Sequence, residues 1–160
     1  MKLSLAAAIA ALLLPFAHAE AAPAKIMVFD FYLDNSSLEP TSAAETARIK
    51  TISDELRADL QKSGQYEVTP GSDIRFSSMR DIGKCTRDER AAAQKAGAEL
   101  VACAWVQKVS NLILNLNLVI EDAKTGRPLH GGSIDIRGNT DETWDRGLRY
   151  LLKEHIFSQR

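Results

Sequence analysis

Cys85 and Cys103 are the only thiols in the 160-residue chain. They flank a segment that reads as a helix followed by a strand. About ten helical residues rise roughly 15 Å. About four strand residues then return roughly 13 Å, so the two sulfurs can meet. In an oxidising compartment such a pair closes a disulfide, and a loop of this length contributes on the order of 3 kcal/mol. The other reading is a buried, inert Cys103 with an exposed Cys85 that pairs between chains.

Other reactive groups do not assemble into a catalytic pattern. His130 and His155 are far apart in sequence, with no HxxxH or CxxC spacing to hold a metal. Asp30, Asp34 and Glu39 miss the calcium-loop pattern, which also needs a glycine at its bend. No Gly-x-Ser-x-Gly elbow offers a nucleophile. Gly131-Gly132-Ser133 lacks the lysine and helix start of a phosphate loop. The chain therefore reads as noncatalytic, with no cofactor and no metal assigned.

The densest polar group runs from Asp135 to Arg146 and includes Arg137, Asn139, Asp141 and Asp145. It is either a recognition patch for a partner or small ligand, or a set of caps and salt bridges fastening helix to strand. Asn115 and Asn117 alternate with leucines, on what should be the open face of a sheet, and allow the same two readings. Trp105 and Trp144 read as core rather than as a ligand cage.

The elements that position these residues follow from periodicity. Lys25 to Leu33 alternates as a first strand, and Asp34 to Thr41 is a loop. Ser42-Ala43-Ala44-Glu45 is a capping box, followed by Ile49, Ile52, Leu56 and Leu60 at helical spacing and a stop at Gly64. Tyr66 to Thr69 is a short second strand ending at Pro70, and Gly71 to Lys84 reads as a loop with one helical turn. Thr86-Arg87-Asp88-Glu89 opens a second helix, with small inward residues Ala92, Ala93 and Ala96, ending at Gly97. Glu99 to Val109 is apolar on both faces, as a central strand must be. Ser110-Asn111 reads as a two-residue hairpin turn with the asparagine tolerating positive φ.

From Leu112 to Asp122 the alternation is strict. Leu112, Leu114, Leu116, Leu118 and Ile120 face one way, while Asn115, Asn117 and Glu121 face water. Pro128 to Arg137 is a fifth strand. Asn139-Thr140-Asp141-Glu142 is a third capping box, and Trp144, Leu148, Leu151, Leu152 and Ile156 form the stripe of a closing helix. The order β-α-β-α-β-β-β-α predicts an α/β (α+β) domain, a mixed sheet of about five strands with helices mainly on one face.

Ahead of this domain stands a leader. Lys2, the apolar run Leu3 to Phe16 and the small-x-small site Ala17-His18-Ala19 describe a secretory signal peptide cleaved after Ala19. The run is shorter than the roughly 20 residues of a membrane span, so no membrane anchor is expected after cleavage. Residues 20–160 are expected to form a single periplasmic domain. The net charge of −1 offers no concentrated basic face for nucleic acid.

These landmarks resemble the small envelope domain shared by the TolB amino-terminal region and the periplasmic part of the curli secretion channel. The resemblance is carried by Ile26-Met27-Val28-Phe29-Asp30-Phe31, by Leu56 and Leu60 before Ser63-Gly64-Gln65-Tyr66-Glu67-Val68, and by Ala96-Gly97-Ala98-Glu99-Leu100-Val101. Leu116 through Asp122 with Thr125-Gly126 completes it. The chain also resembles a group of short, secreted, uncharacterised proteobacterial proteins through Trp105-Val106-Gln107-Lys108-Val109-Ser110-Asn111-Leu112 and Arg137-Gly138-Asn139-Thr140-Asp141. Some members of that group accompany quinoprotein dehydrogenase systems. The resemblance implies a domain for contacts within the envelope and brings no catalytic residues. Unlike those larger relatives, the chain is expected to carry no lipid-attachment cysteine, no propeller and no channel-forming strands. The expected function is that of a noncatalytic periplasmic accessory protein with an envelope protein partner. Its contacts would fall on Asn115, Asn117, Asp135, Arg137, Asn139 and Asp141. The alternative is a periplasmic small-molecule or cofactor-binding protein.

Overall fold

Val101, Cys103 and Trp105 alternate with Ala102, Ala104 and Val106, and all six are buried. A strand with two apolar faces needs a packed layer on each side, and both layers are present. The computed structural model describes residues 22–71 and 83–158. The signal peptide with its cleavage point, and most of the loop from Gly71 to Lys84, lie outside the described residues.

The elements are β1 (Ala24–Val28), β2 (Tyr32–Asn35), α1 (Ala43–Lys62), β3 (Tyr66–Pro70), α2 (Arg87–Lys95), β4 (Leu100–Lys108), β5 (Ile113–Asp122), β6 (Pro128–Arg137) and α3 (Asp141–Leu151). A π-helical turn, Leu152–Phe157, extends α3. The strands form one mixed six-stranded sheet in the order β3-β1-β4-β5-β6, with β2 paired to β4 beyond the end of β1. The β1 pairings to β3 and β4 are parallel, and β4, β5 and β6 form an antiparallel meander.

On one face α1 and α3 bury Leu56, Leu60, Trp144 and Leu148 against Ala102, Ala104, Leu116 and Leu118. On the other, Met27, Phe29, Val101, Trp105 and Val119 pack around Ala93 of α2 and the two cysteines. Ala93 is fully buried, whereas Ala92 is half-buried and Ala96 exposed. The α/β architecture read from the sequence stands, with its two long helices on one face and the short α2 on the other. Ser42 and Thr86 make the expected capping boxes. Gly64 and Gly97 end those helices at φ of 72° and 76°, a backbone region that disfavours other residues.

The expected first strand is two strands, which raises the count to six. Val28 lies opposite Ala102 and Tyr32 opposite Trp105, so three residues face two and the chain carries a bulge. The extra residue flips the alternation, sending Phe29 into one core and Phe31 into the other. The Phe31 amide, released from the ladder, donates to the buried Ser53 hydroxyl of α1 at 2.9 Å.

One turn and one helix cap also depart from expectation. The β4–β5 connection holds three residues, since the Val109 amide donates to the Ile113 carbonyl at 3.1 Å. No described non-glycine residue has positive φ, Asn111 included. Instead the Ser110 hydroxyl accepts from the Leu112 and Ile113 amides, and Leu112 is turned out to solvent, 72% exposed. The third capping box is shifted by one residue. Thr140 is the cap, with its hydroxyl accepting from the Thr143 amide at 3.3 Å.

Candidate functional site

That one-residue shift frees the Asn139 side chain, which becomes the centre of an internal polar knot. Its Nδ2 donates to Glu45 Oε1 at 2.6 Å and to Asn111 Oδ1 at 3.0 Å. Its Oδ1 accepts from Arg48 and from the Trp144 indole, both at 3.1 Å. Glu45, in the first turn of α1, also accepts from the Ser42 amide at 2.7 Å. Lys108, the last residue of β4, places its Nζ 2.7 Å from Glu45 Oε1. Lys108 and Glu45 are each only 1% exposed. Burial alone would raise the Glu45 carboxyl, but hydrogen bonds from Lys108, the Ser42 amide and Asn139 outweigh it and hold the pKa at about 2. Arg48 lies 5.9 Å from the centre of the Trp144 ring and pairs with Asp141 at 2.5 Å. The knot ties the start of α1, the end of β4, the β4–β5 turn and the entry to α3 into one corner.

Asn139, half-buried, is taken up by this fastening arrangement, whereas Asp141 pairs with Arg48 and keeps its side chain 88% exposed. The Glu45–Lys108 pair was missed in the sequence, although Lys108 falls in step with Ala102, Ala104 and Val106 on the helix-facing side of β4. A charge in an apolar register was the available signal.

Asp135 and Arg137 lie elsewhere, exposed on β6 at the edge of the sheet. A groove of about 630 Å³ follows this edge, bounded by Ser133 to Arg137, by Arg146, Gly147 and Tyr150 of α3, and by His155. Gly147 lets α3 approach, because a Cβ there would stand 2.7 Å from the Ile136 side chain. Gly132 makes room for His155 in the same way, with 2.4 Å to its ring. Arg146 pairs with Glu142 at 3.3 Å. Arg137 has no ion-pair partner among the described residues.

Of the paired asparagines, Asn115 sits beside this edge and Asn117 does not serve a surface. Asn115 donates to Asp135 Oδ1 at 2.9 Å and accepts from the Ser133 hydroxyl at 2.8 Å. Asn117 is buried, and so is Glu121, contrary to the expectation that this face of β5 meets water throughout. Glu121 accepts from the Cys85 amide at 3.1 Å and pairs with Arg90 at 3.4 Å, pinning the start of α2.

Cys85 and Cys103 form a disulfide with their Cα atoms 5.5 Å apart. The Glu89 carboxylate lies within 4.8 Å of both sulfurs, but sulfurs joined to each other present no thiolate pair to a metal. A second cavity, about 390 Å³, lies between α1 and α3 beside Trp144. Three of its acids are already paired: Asp141 to Arg48, Glu142 to Arg146 and Asp145 to Arg149. The fourth, Glu55, is raised above the usual carboxylate range by burial and by the neighbouring Asp145 and Asp59.

A mixed sheet with this helix arrangement recurs in solved bacterial proteins. The PelC dodecamer from Paraburkholderia phytofirmans matches with a TM-score of 0.56, 12% identity, and coverage of 84% of this chain and 88% of that one. Lipoprotein GNA1162 from Neisseria meningitidis matches at 0.52 and 19% identity, over 74% and 84% of the two chains. The LpoB C-terminal domain from Salmonella enterica matches at 0.50 and 15% identity, over 76% and 87%. At these identities the likeness is one of fold. No curated protein matches the sequence. Residues 24–156 match the family described as "Protein of unknown function (DUF2380)", and the chain belongs to that family.

Proposed function

We propose that the mature chain, from Glu20 onward, is a noncatalytic accessory protein of the bacterial periplasm that binds a protein partner at the corner of β6 and α3. The observation that carries this reading is the exposed β6 edge with its groove, where Arg137 has no ion-pair partner among the described residues while Asn139 behind it is taken up within the fold. The leader, the sequence likeness to the TolB amino-terminal domain and the fold shared with a neisserial lipoprotein support an envelope setting. The client class implied by the separate likeness to short secreted proteobacterial proteins is a quinoprotein dehydrogenase system.

Photo-crosslinking amino acids placed at positions 137 and 150, with position 124 as control, test this in cells expressing the exported protein. One protein adduct common to 137 and 150 and absent at 124 is expected, and Arg146→Ala should weaken it. Adducts at 124 alone would defeat the assignment. A second reading, a small-molecule binder, is favoured by the cavity beside Trp144, whose acids suit an organic cation. A rise in melting temperature with polyamines, lost in Glu55→Gln, is its signature.

A further inference from the structure

Resting on the β6–α3 corner as a protein-contact site, we propose that β6 takes up its partner as an added strand, supplied by an extended segment carrying an acidic side chain. β6 is the terminal strand of the sheet and spans ten residues. The Gly138 amide donates to the Leu112 carbonyl at 3.3 Å, which fixes the phase of the ladder. Residues two apart repeat that direction, so Gly131, Ser133, Asp135 and Arg137 turn their amides and carbonyls away from β5, toward the groove.

The two edges of the sheet are treated differently. At the opposite edge β3 is only five residues long, ends on Pro70, and has its Val68 amide taken by Gln61 Oε1 at 2.9 Å. Those are devices that prevent strand addition. Between Gly131 and Arg137 the β6 edge has no proline and no lysine, and no described side chain hydrogen-bonds to its amides. An extended segment laid there would satisfy both its own backbone and that of β6.

Side chains around the edge set the chemistry of the incoming strand. Asp135 accepts from the neutral Asn115 amide and Arg146 is paired with Glu142, which leaves Arg137 as the cation of this edge with no ion-pair partner among the described residues. An acidic residue suits that position. Ile113, the cross-strand neighbour of Arg137, is 48% exposed, and Tyr150 on the other flank is 56% exposed. Both offer apolar contact to residues beside the acid.

The test uses the mature chain and a synthetic peptide of about eight residues that alternates valine and threonine around two glutamates. Two control peptides are used, one N-methylated at alternate amides and one with lysine for glutamate. Amide NMR should show shifts confined to β6 and the facing side of α3. Hydrogen exchange at Ser133 and Asp135 should slow roughly tenfold or more. N-methylation should abolish binding. Lysine should weaken it about fivefold, a difference that Arg137→Ala removes. Ser133→Pro deletes one outward amide and no backbone bond to β5, losing only the hydroxyl bond to Asn115, and should also abolish binding. If that variant does not fold, the N-methylated peptide and Arg137→Ala decide.

Binding that ignores N-methylation, shifts centred elsewhere, or no binding at millimolar peptide would each overturn the added strand. So would a dimer in sedimentation that Ser133→Pro dissolves, since a second copy would then occupy the edge. A crosslinked partner at position 137 with failed peptide arms would remove strand addition and leave the corner assignment standing. Adducts found only at position 124 would remove both.

Discussion

Replacing Glu45 with glutamine should abolish a specific part of the protein's acid sensitivity. In the folded chain the Glu45 carboxyl is held at about 2, against an ordinary value of 4.5. A difference of that size corresponds to about 3 kcal/mol. The sign follows from proton binding, because between the two values the unfolded chain holds the proton and the folded chain does not. The stabilisation is therefore complete above about pH 5, falls as pH drops and is gone below about pH 2. In Glu45→Gln no group titrates at position 45, and Lys108 is left buried without its nearest counter-charge. The variant should be less stable than the parent by about 3 kcal/mol or more near neutrality. That gap should narrow by about 3 kcal/mol as pH falls from about 5 to 2, because a protonated glutamate resembles glutamine. Guanidinium unfolding followed by tryptophan fluorescence across that range measures the gap directly. If the two chains lose stability in parallel, Glu45 is not the group that the knot holds ionised, and the electrostatic account of the corner fails.

Asn139→Ala should cost clearly more than Thr140→Ala, roughly 3 kcal/mol against about 1 kcal/mol. Asn139 satisfies four partners, while Thr140 caps one helix, and urea unfolding of the two variants ranks them. Equal costs would return the capping role to Asn139. Breaking the disulfide with Cys85→Ala and Cys103→Ala together should lower stability by about 3 kcal/mol. The bridged cysteines are 18 residues apart in sequence. The native protein should give no thiol titre until reduced. Gly147→Ala should destabilise by about 1–3 kcal/mol despite alanine's better helix propensity, because its methyl would press on Ile136. A raised melting temperature would show that α3 can move off the sheet without loss.

Local chemistry made much of the fold readable in advance. The boxes at Ser42 and Thr86, the stops at Gly64 and Gly97, and the period of two along Leu114 to Ile120 are decided by residues within a few positions of each other. Helix capping and strand alternation need no more than that. The bulge between Val28 and Tyr32 carries no glycine or proline to announce it. It exists because Phe29 and Phe31 find different cores and because Ser53, on a helix formed later in the chain, receives the freed amide.

The candidate site divides along the same line. The polarity of the segment from Asp135 to Arg146 was legible, since composition alone shows it. Which of its side chains face outward was not. Asn139 is consumed by Glu45, Arg48, Asn111 and Trp144, which come from two other stretches of chain, α1 and the β4–β5 turn, besides its own helix. Arg137 has no ion-pair partner among the described residues, although Asp135 lies two residues away on the same strand. A sequence states what each side chain is able to bond, through its atoms and its near neighbours. Whether that capacity is spent inside or left for a partner depends on groups brought together across the sheet, and only the tertiary structure decides it.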